Sequence, residues 1–180
     1  WASFDLEKEC AEQLIADGCV LISQHADTTG APTACEAKKV PCVGYNIDMI
    51  PTAPDAALTS ATINWGPYYT YAVQSVIEGT AIDTDWSKGV KDGADAITEL
   101  NDKTVAKGTK EKVEEAQKGI EDGTIHVFDT STFTVDGKEL DSWKDDNGNE
   151  YIKDGYFHES ELHSAPAFAI NIDGIESVEK

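Results

Sequence analysis

Polar side chains that could hydrogen-bond a small ligand follow two short apolar segments near the start of the chain. The first segment ends in Gln24, His25 and Asp27, and the second ends in Asn46 and Asp48. Carboxylates accept hydrogen bonds from the N–H and O–H groups of a ligand, and amide side chains both donate and accept them. These residues could therefore bind a ligand without changing it. Alternatively, the protein could be a hydrolase that cleaves nucleosides or sugars, with Asp27 and Asp48 as its carboxylate pair.

The helices and strands around these residues are predicted to bring them to one edge of a sheet. A helix over Asp5–Asp17 ends at Gly18 and leads into a strand over Cys19–Ser23. A second helix over Ala31–Lys39 leads into a strand over Pro41–Asn46. Parallel strands joined by helices place their carboxyl ends on one edge, where open α/β sheets bind ligands. The sequence therefore predicts an α/β domain whose site is built from strand tips.

A third strand is predicted over Leu58–Ile63, and it ends in Asn64 and Trp65. Pro67 suits the first turn of a helix, which is predicted to continue to Glu78. A tryptophan at the mouth of a strand offers a flat face on which a planar ring could stack. The alternative is that Trp65 packs in the core.

Two of the helices are predicted to have an apolar face, because apolar residues recur in them at helical spacing. In the first helix these residues are expected to contact the sheet, and they are Leu6, Cys10, Leu14 and Ile15. In the helix that begins at Pro67 they are Tyr68, Tyr71 and Val76.

The second half of the chain changes from helix and strand units to hairpins. A helix is predicted over Thr109–Glu121, and the turn signals Asp136-Gly137 and Asn147-Gly148 predict two hairpins. The remaining predicted elements are one or two short strands within Trp86–Leu100, a strand over Thr124–Phe128, a short helix near His158–His163 and a last strand over Ala167–Ile172.

The charge of the chain restricts the class of ligand. The 180 residues include 34 Asp or Glu against 14 basic residues, none of which is Arg, so the net charge is −20. Proteins that bind nucleic acids need a basic surface, which this composition does not supply. Phosphate esters and acidic membrane surfaces are disfavoured for the same reason. An acidic cleft favours neutral, donor-rich ligands, and nucleobases and nucleosides are of that kind.

The four cysteines lie at positions that suit small apolar side chains. Cys10 and Cys35 fall in predicted helices, and Cys19 and Cys42 open predicted strands. No CxxC pair is present, so zinc sites and thioredoxin-like sites lack support. We expect four buried free thiols, and Cys19–Cys42 is the one pair that adjacent strands could bring within disulfide distance.

Motifs of the common catalytic and metal sites are missing from the sequence. There is no GxSxG elbow, no phosphate-binding glycine loop and no HxxxH pair on a predicted long helix. Asp145, Asn147 and Asn149 have the spacing of the first calcium-loop ligands, but Glu150 occupies the position that requires glycine. We therefore predict no catalytic residue, no metal site and no cofactor, and a plain hairpin at Asp145.

Two motifs, QHAD at residues 24–27 and NWGPYY at residues 64–69, occur in the order and at the spacing of a known family. With them the chain resembles the BMP (basic membrane protein) family, the lipoproteins of bacterial ABC transporters that capture purines or purine nucleosides. The resemblance covers residues 1–128 well and the rest loosely. The matching stretches are residues 1–5, 18–30, 43–51, 58–80, 86–95 and 120–128. The NWGPYY form is similar to the subgroup associated with adenine-type ligands.

This resemblance implies a type I periplasmic-binding-protein-like fold, in which two α/β lobes joined by hinge strands close on the ligand. Residues 1–128 would form most of the second lobe, a parallel sheet flanked by helices, with a hinge near residues 63–66. Residues 129–180 would form a hairpin-rich extension. The family has a whole N-terminal lobe ahead of the position of Trp1, so the chain corresponds to a fragment of a two-lobe protein. The missing lobe normally supplies an aromatic side chain opposite Trp65.

The predicted function is reversible capture of a purine base or nucleoside for an ABC importer, without chemistry. The expected partners are the ligand, the transporter permease and the missing N-terminal lobe, and the family implies an extracytoplasmic, lipid-anchored location. A structural or signalling module without a ligand is the other alternative. Trp65 is expected to stack on the ring, and the other predicted ligand-binding residues are Asn64, Asp48, Asp27, Gln24, His25, Lys91 and Asp92.

Overall fold

The computed structural model describes residues 2–159, 161 and 170–176. The chain divides into two compact units. The first unit contains residues 1–69 and 92–115, and the second contains residues 70–91 and 116–180.

A four-stranded mixed sheet forms the centre of the first unit. Its strands are β1 (Ile22–Ser23), β2 (Cys42–Tyr45), β3 (Ala57–Ile63) and β4 (Asp95–Ile97), and they lie side by side in that order. The first three strands are parallel, and β4 runs antiparallel to β3. The predicted α/β fold with a parallel sheet is therefore confirmed, although β1 is shorter than the predicted strand over Cys19–Ser23.

Within the described residues, four α-helices accompany the strands in chain order. They are α1 (Phe4–Ala16), α2 (Gly30–Lys38), α3 (Gly66–Glu78) and α4 (Thr109–Asp122), and a short 3₁₀ turn covers Val90–Asp92. All four helices agree with the sequence-based ranges to within about one residue, as expected for helix ends. Ser3 is the N-cap residue of α1, and its backbone N–H donates to Oε1 of Glu7.

Small side chains fill the core of the first unit. The buried residues of its hydrophobic cluster are Ala11, Ile22, Ala31, Ala34, Cys35, Cys42, Met49, Ala53, Ala56 and Ala57. Small residues let the elements approach closely: a Cβ on Gly44 would lie 2.5 Å from side-chain atoms of both Met49 and Ser60. The segment between β2 and β3 therefore packs directly on the sheet.

The predicted apolar face of α1 is only partly correct. Ala11 is buried, and Leu14 and Ile15 pack against the core, but Leu6 is 59% exposed and Cys10 is exposed. The last two line an open groove of about 420 Å³ that also borders Ile22 and His25. Helical spacing located the apolar face, but it does not reveal whether another element covers that face.

The cysteine predictions are wrong in two respects. Cys10 and Cys19 are exposed, and only Cys35 and Cys42 are buried. The buried pair also replaces Cys19–Cys42 as the neighbouring thiols, since Cys35 on α2 and Cys42 on β2 hydrogen-bond each other. This hydrogen bond and burial both raise the pKa of the Cys42 thiol. The strand predicted over Cys19–Ser23 is β1, which begins only at Ile22, so Cys19 lies outside the sheet.

Short hairpins characterise the second unit. The strands β5 (Thr134–Val135) and β6 (Lys138–Glu139) form the first hairpin, while β7 (Trp143–Lys144), β8 (Glu150–Lys153) and β9 (Tyr156–Phe157) form a three-stranded sheet. Both predicted hairpin turns are present, and the loop at Asp145 is a hairpin. A third turn at Asp154-Gly155, with both residues at positive φ, was not predicted. Tyr151, Ile152 and Phe157 form the core of this sheet, and Leu140 and Trp143 pack against it.

Four sequence-based predictions in this part of the chain are wrong or lie outside the described residues. Thr124–Phe128 is not a strand, because its residues turn back after α4. Val76 is 70% exposed rather than packed. The predicted elements near His158–His163 and Ala167–Ile172 fall mostly outside the described residues. Among the described residues, no helix is both long enough and apolar enough to cross a membrane.

Candidate functional site

The carboxyl ends of β1, β2 and β3 meet at one edge of the sheet, as the sequence predicts. The backbone ladder continues to these ends: the N–H of Gln24 donates to the carbonyl of Val43 at 3.1 Å, and that of Asn46 donates to Ala61 at 2.7 Å. Neighbouring strands lie about 4.8 Å apart, so the three tips span about 10 Å. This width suits a small flat ligand.

Gln24 shapes the loop that follows β1. Its side-chain Nε2 donates to the carbonyls of Ala26 at 3.0 Å and Thr28 at 3.1 Å. Its Oε1 is buried and accepts no hydrogen bond from the described residues. His25 and Asp27 are exposed on the same loop. Gln24 therefore organises the tip, whereas His25 and Asp27 present their side chains outward.

Tyr45, the last residue of β2, is a site residue that the sequence analysis did not single out. Its ring lies 4.5 Å from the imidazole of His25, centre to centre, with 32° between the planes. The parallel register of β1 and β2 brings the two tips together, so this contact between the rings follows from the topology. The signal was available, because Tyr45 directly precedes Asn46 at the end of a predicted strand.

Asp48 and Asn46 form the turn after β2. Asn46 has a φ of 70°, in the left-handed region that asparagine tolerates better than most residues. Its carbonyl accepts a hydrogen bond from Oγ1 of Thr62 at 2.9 Å. Oδ1 of Asp48 accepts the N–H of Ile50 at 2.9 Å, and the side chain is exposed. One carboxylate oxygen of Asp48 therefore fixes the turn, and the other faces solvent or a ligand.

The tip of β3 carries an aromatic cluster. Trp65 is 53% exposed, and Tyr68 and Tyr69 each lie 6.2 Å from it, one edge-on and one stacked. Asn64 holds the turn: its Nδ2 donates to the carbonyl of Gly93 at 2.9 Å, and its Oδ1 accepts the N–H of Gly66 at 3.1 Å. At this exposure Trp65 is not a core residue, contrary to the alternative that it packs in the core.

Lys91 and Asp92 lie on the 3₁₀ turn that precedes β4. Asp92 adjoins Gly93, whose carbonyl accepts the hydrogen bond of Asn64, so its backbone is close to the β3 tip. Lys91 belongs to the second unit. The structure thus gathers Gln24, His25, Asp27, Asp48, Asn64 and Trp65 along the sheet edge, with Asp92 beside it.

A family model agrees with this arrangement. Residues 1–129 match the model described as "ABC transporter substrate-binding protein PnrA-like". The chain belongs to this family of substrate-binding proteins. The matched residues include the whole sheet and all three strand tips.

Two curated relatives of this substrate-binding family differ in what their names say they bind. The chain is 30% identical over 139 residues to a purine-binding protein of Brucella abortus, a match that covers 77% of this chain and 39% of the relative. It is 26% identical over 141 residues to a putative ABC transporter glucose-binding protein of Haloferax volcanii, covering 78% and 36% respectively. The chain therefore spans less than half the length of either relative.

Solved structures confirm the fold expected of the substrate-binding family. A transcriptional activator of the comK gene from Bacillus halodurans superposes with a TM-score of 0.61 at 16% identity, covering 71% of this chain and 45% of that one. An ABC transporter solute-binding protein from Aeropyrum pernix K1 gives 0.53 at 17% identity, with the same coverage. Because these titles describe different roles, the shared fold alone does not specify the ligand.

The side chains at the edge suit non-covalent recognition by a substrate-binding protein. Trp65 offers a ring face, Asp27 and Asp48 offer acceptor oxygens, and the tilted ring pair of His25 and Tyr45 adds aromatic surface. Among the described residues, no three His, Cys, Asp or Glu side chains are grouped so that they could hold a metal ion.

Proposed function

We propose that this protein captures a purine base or nucleoside, of the adenine type, for an ABC importer and releases it unchanged. The observation that carries the proposal is the exposed ring of Trp65 at the same sheet edge as the acceptor groups of Asp27 and Asp48. A purine has a flat aromatic face and N–H donors at its rim, so it matches both features. The name of the Brucella relative supports the same ligand class.

Each residue at the edge has a distinct role in this proposal. Trp65 stacks on the purine ring, a contact worth about 1–3 kcal/mol for a base on an aromatic side chain. The free oxygen of Asp48 and the carboxylate of Asp27 accept hydrogen bonds from the base or the ribose. Asn64 retains one N–H and one lone pair beyond its two internal bonds, and these remain for the ligand.

The remaining predicted residues complete the edge. Gln24 and His25 line the first tip, and His25 adds aromatic surface through its ring contact with Tyr45. Asp92, on the 3₁₀ turn before β4, and its chain neighbour Lys91 are the last of the predicted ligand-binding residues. With a net charge of −20 and no arginine, the chain favours a neutral base or nucleoside over its phosphorylated forms.

We also propose that the chain acts as part of a longer, two-lobe protein. In that protein residues 1–128 form most of the second lobe, the hinge lies near residues 63–66, and an N-terminal lobe forms the opposite wall of the site. The short length relative to the curated relatives supports this, and so does exposed apolar surface beside β1, where Val20 is 81% and Leu21 49% exposed. The whole protein would be lipid-anchored outside the cytoplasmic membrane and would deliver its ligand to the transporter permease.

A titration of the 180-residue chain tests the ligand. Adenine, adenosine, adenosine monophosphate and D-glucose are each added to ¹⁵N-labelled protein while the indole N–H resonances are followed. Because one wall of the site covers about half of a ligand that is normally 70–90% buried, we expect adenine or adenosine to bind at high-micromolar or weaker affinity. Glucose and the monophosphate should leave the Trp65 resonance unchanged.

Four results would contradict the proposal. Shifts with glucose alone would show that the site binds sugars. The absence of shifts with both adenine and adenosine at their solubility limits would show that the chain does not bind these purines. Release of free adenine from adenosine would support the hydrolase alternative. Submicromolar binding by a monomer would show that a single lobe suffices and that the two-lobe interpretation is wrong.

A further inference from the structure

The carboxylate of Glu7 connects α1 to the loop that follows β1. Its Oε2 accepts the backbone N–H of Thr28 at 3.1 Å and also the hydroxyl of Thr28 in a short hydrogen bond. Its Oε1 accepts the N–H of Ser3 at 3.1 Å. The side chain is partly buried, and 21 residues separate Glu7 from Thr28 along the chain. This is a long-range polar contact rather than a local helix cap.

Thr28 extends this contact into the loop. Its hydroxyl oxygen accepts the N–H of Gly30, the first residue of α2, at 3.1 Å. Its carbonyl accepts Nε2 of Gln24 at 3.1 Å, and the same amide also donates to Ala26. One carboxylate on α1 therefore fixes Thr28, and Thr28 in turn fixes both ends of the loop. The exposed residues His25 and Asp27 lie between those ends.

The hydrogen bonds that the Glu7 carboxylate accepts oppose local opening of the loop after β1. A hydrogen bond with one charged partner contributes more than a neutral one, typically by about twofold. Glu7 lies in the first turns of α1, where the helix dipole favours a negative side chain. A carboxylate accepts all three bonds at once, whereas a glutamine would replace one acceptor oxygen with an NH₂ group and leave donors unpaired.

We infer that Glu7 and Thr28 form a polar clasp that positions His25 and Asp27 at the first strand tip. The ligand in this inference rests on the proposed function, whereas the geometry of the clasp does not depend on that proposal. Glu7 does not touch the ligand in this account; it is a positioning residue that acts through Thr28. The clasp keeps the tip in its binding conformation before the ligand arrives, which reduces the ordering cost of binding.

The test compares Glu7→Gln and Thr28→Val with two controls in the 180-residue chain. Thr28→Ser keeps the hydroxyl, and Glu12→Gln removes a partly exposed carboxylate on the same helix that pairs with Lys8 at 3.7 Å. Hydrogen exchange of the Thr28 and Gly30 amides reports loop opening, urea unfolding reports global stability, and an adenosine titration reports the site. Thr28→Val keeps the side-chain volume, so it still tests the clasp if Glu7→Gln does not fold.

We expect Thr28→Val and Glu7→Gln to speed exchange at both amides by about tenfold or more, and to weaken adenosine binding severalfold. Thr28→Ser should restore both properties, and Glu12→Gln should leave them unchanged. A purely structural role would change the unfolding midpoint without a hydroxyl-dependent change in affinity, and that pattern would overturn the inference. Unchanged exchange at Thr28 in Thr28→Val would also overturn it.

The two proposals fail in different ways. If the wild-type chain binds no purine, the proposed function fails, whereas the exchange arm still decides whether the clasp holds the tip. If purine binds equally well to wild type and Thr28→Val, the clasp has no positioning role although the ligand assignment stands.

Discussion

The first and third strand tips belong to one sheet edge, but they are held by different forces. At the first tip, hydrogen bonds among Glu7, Thr28 and Gln24 fix the loop that carries His25 and Asp27. At the third tip, Asn64 fixes only the turn, and the ring of Trp65 stays more than half exposed against its tyrosine neighbours. A ligand bound across the edge would meet a polar frame on one side and an aromatic surface on the other.

This difference separates two tasks of a binding site. Hydrogen bonds have narrow angular preferences, so a fixed polar tip sets the orientation of a ligand. An exposed aromatic ring contributes contact area and tolerates small changes in ligand shape, because stacking is less directional. We therefore expect changes at the first tip to affect stability and orientation together, and changes at the third tip to affect affinity with little effect on stability.

The largest contrast should come from the glycines that open the helices after the two tips. A Cβ on Gly30 would lie 2.3 Å from the backbone carbonyl oxygen of Phe4, whereas one on Gly66 would lie 3.1 Å from the side-chain oxygen of Asn64. Backbone atoms of α1 cannot yield without moving the helix. Gly30→Ala should therefore destabilise the chain by about 1–3 kcal/mol in urea unfolding followed by circular dichroism.

Gly66→Ala is the matched control, and we expect its free energy of unfolding to stay within about 0.5 kcal/mol of wild type. Alanine gains helix propensity over glycine at both positions, so propensity does not explain a difference between them. Equal destabilisation by the two substitutions would show that the first tip is no more tightly packed than the third.

The second contrast concerns affinity. Trp65→Ala should weaken purine binding by about 1–3 kcal/mol, or roughly 5–150-fold, because it removes one base–aromatic stack. Its free energy of unfolding should hardly change, since the ring is 53% exposed. Isothermal titration and urea unfolding measure the two quantities, and Trp65→Phe should retain part of the affinity. A loss of stability without a loss of affinity would show that Trp65 is a packing residue and not a ligand-binding residue.

The sequence predicted the sheet edge but not what secures it. Parallel topology follows from alternating helices and strands, and it placed Gln24, Asp48 and Trp65 together without knowledge of any contact. The bond between Glu7 and Thr28 spans 21 residues and leaves no periodic or motif signal, so only the structure reveals it.

Exposure was the other property that the sequence could not supply. The spacing of Leu6 and Cys10 marks an apolar face, but whether that face is covered depends on elements elsewhere in the protein. The strand predicted over Thr124–Phe128 failed for a related reason. Its composition suits a strand, but the chain turns after α4, where the carbonyl of Gly119 accepts the N–H groups of both Thr124 and Ile125.

The third contrast tests the polar part of the third tip. Asn64→Ala removes one bond to the carbonyl of Gly93 and one from the N–H of Gly66, and each is worth about 1 kcal/mol. Because both partners are near solvent, water compensates in part, and we expect a total loss of about 1 kcal/mol in unfolding. Asn64→Asp keeps the acceptor and should lose less. A loss above that of Gly30→Ala would reverse the comparison between the tips.

The smallest contrast is a pH effect at Asp95, which pairs with Ile63 next to the third tip. Partial burial raises the pKa of Asp95 above its usual value of 3.8. An acid whose pKa is raised in the folded state favours folding when protonated. Its contribution is fully present below the unfolded pKa and is lost as pH rises through the folded value. Stability should therefore fall slightly between about pH 4 and neutrality because of this carboxyl group.

Asp95→Asn removes that part of the pH dependence, so the variant should gain stability relative to wild type at pH 7 but not at pH 3. The gain should be small, because most of the carboxyl is solvated and water screens its charge. Asp102→Asn, at an exposed position of the same unit, is the control for a simple reduction of the net charge. Urea midpoints at both pH values measure the difference. If Asp102→Asn gains as much as Asp95→Asn, repulsion within an acidic chain explains the effect, and desolvation of Asp95 then adds nothing at the third tip that could be compared with the clasp of the first.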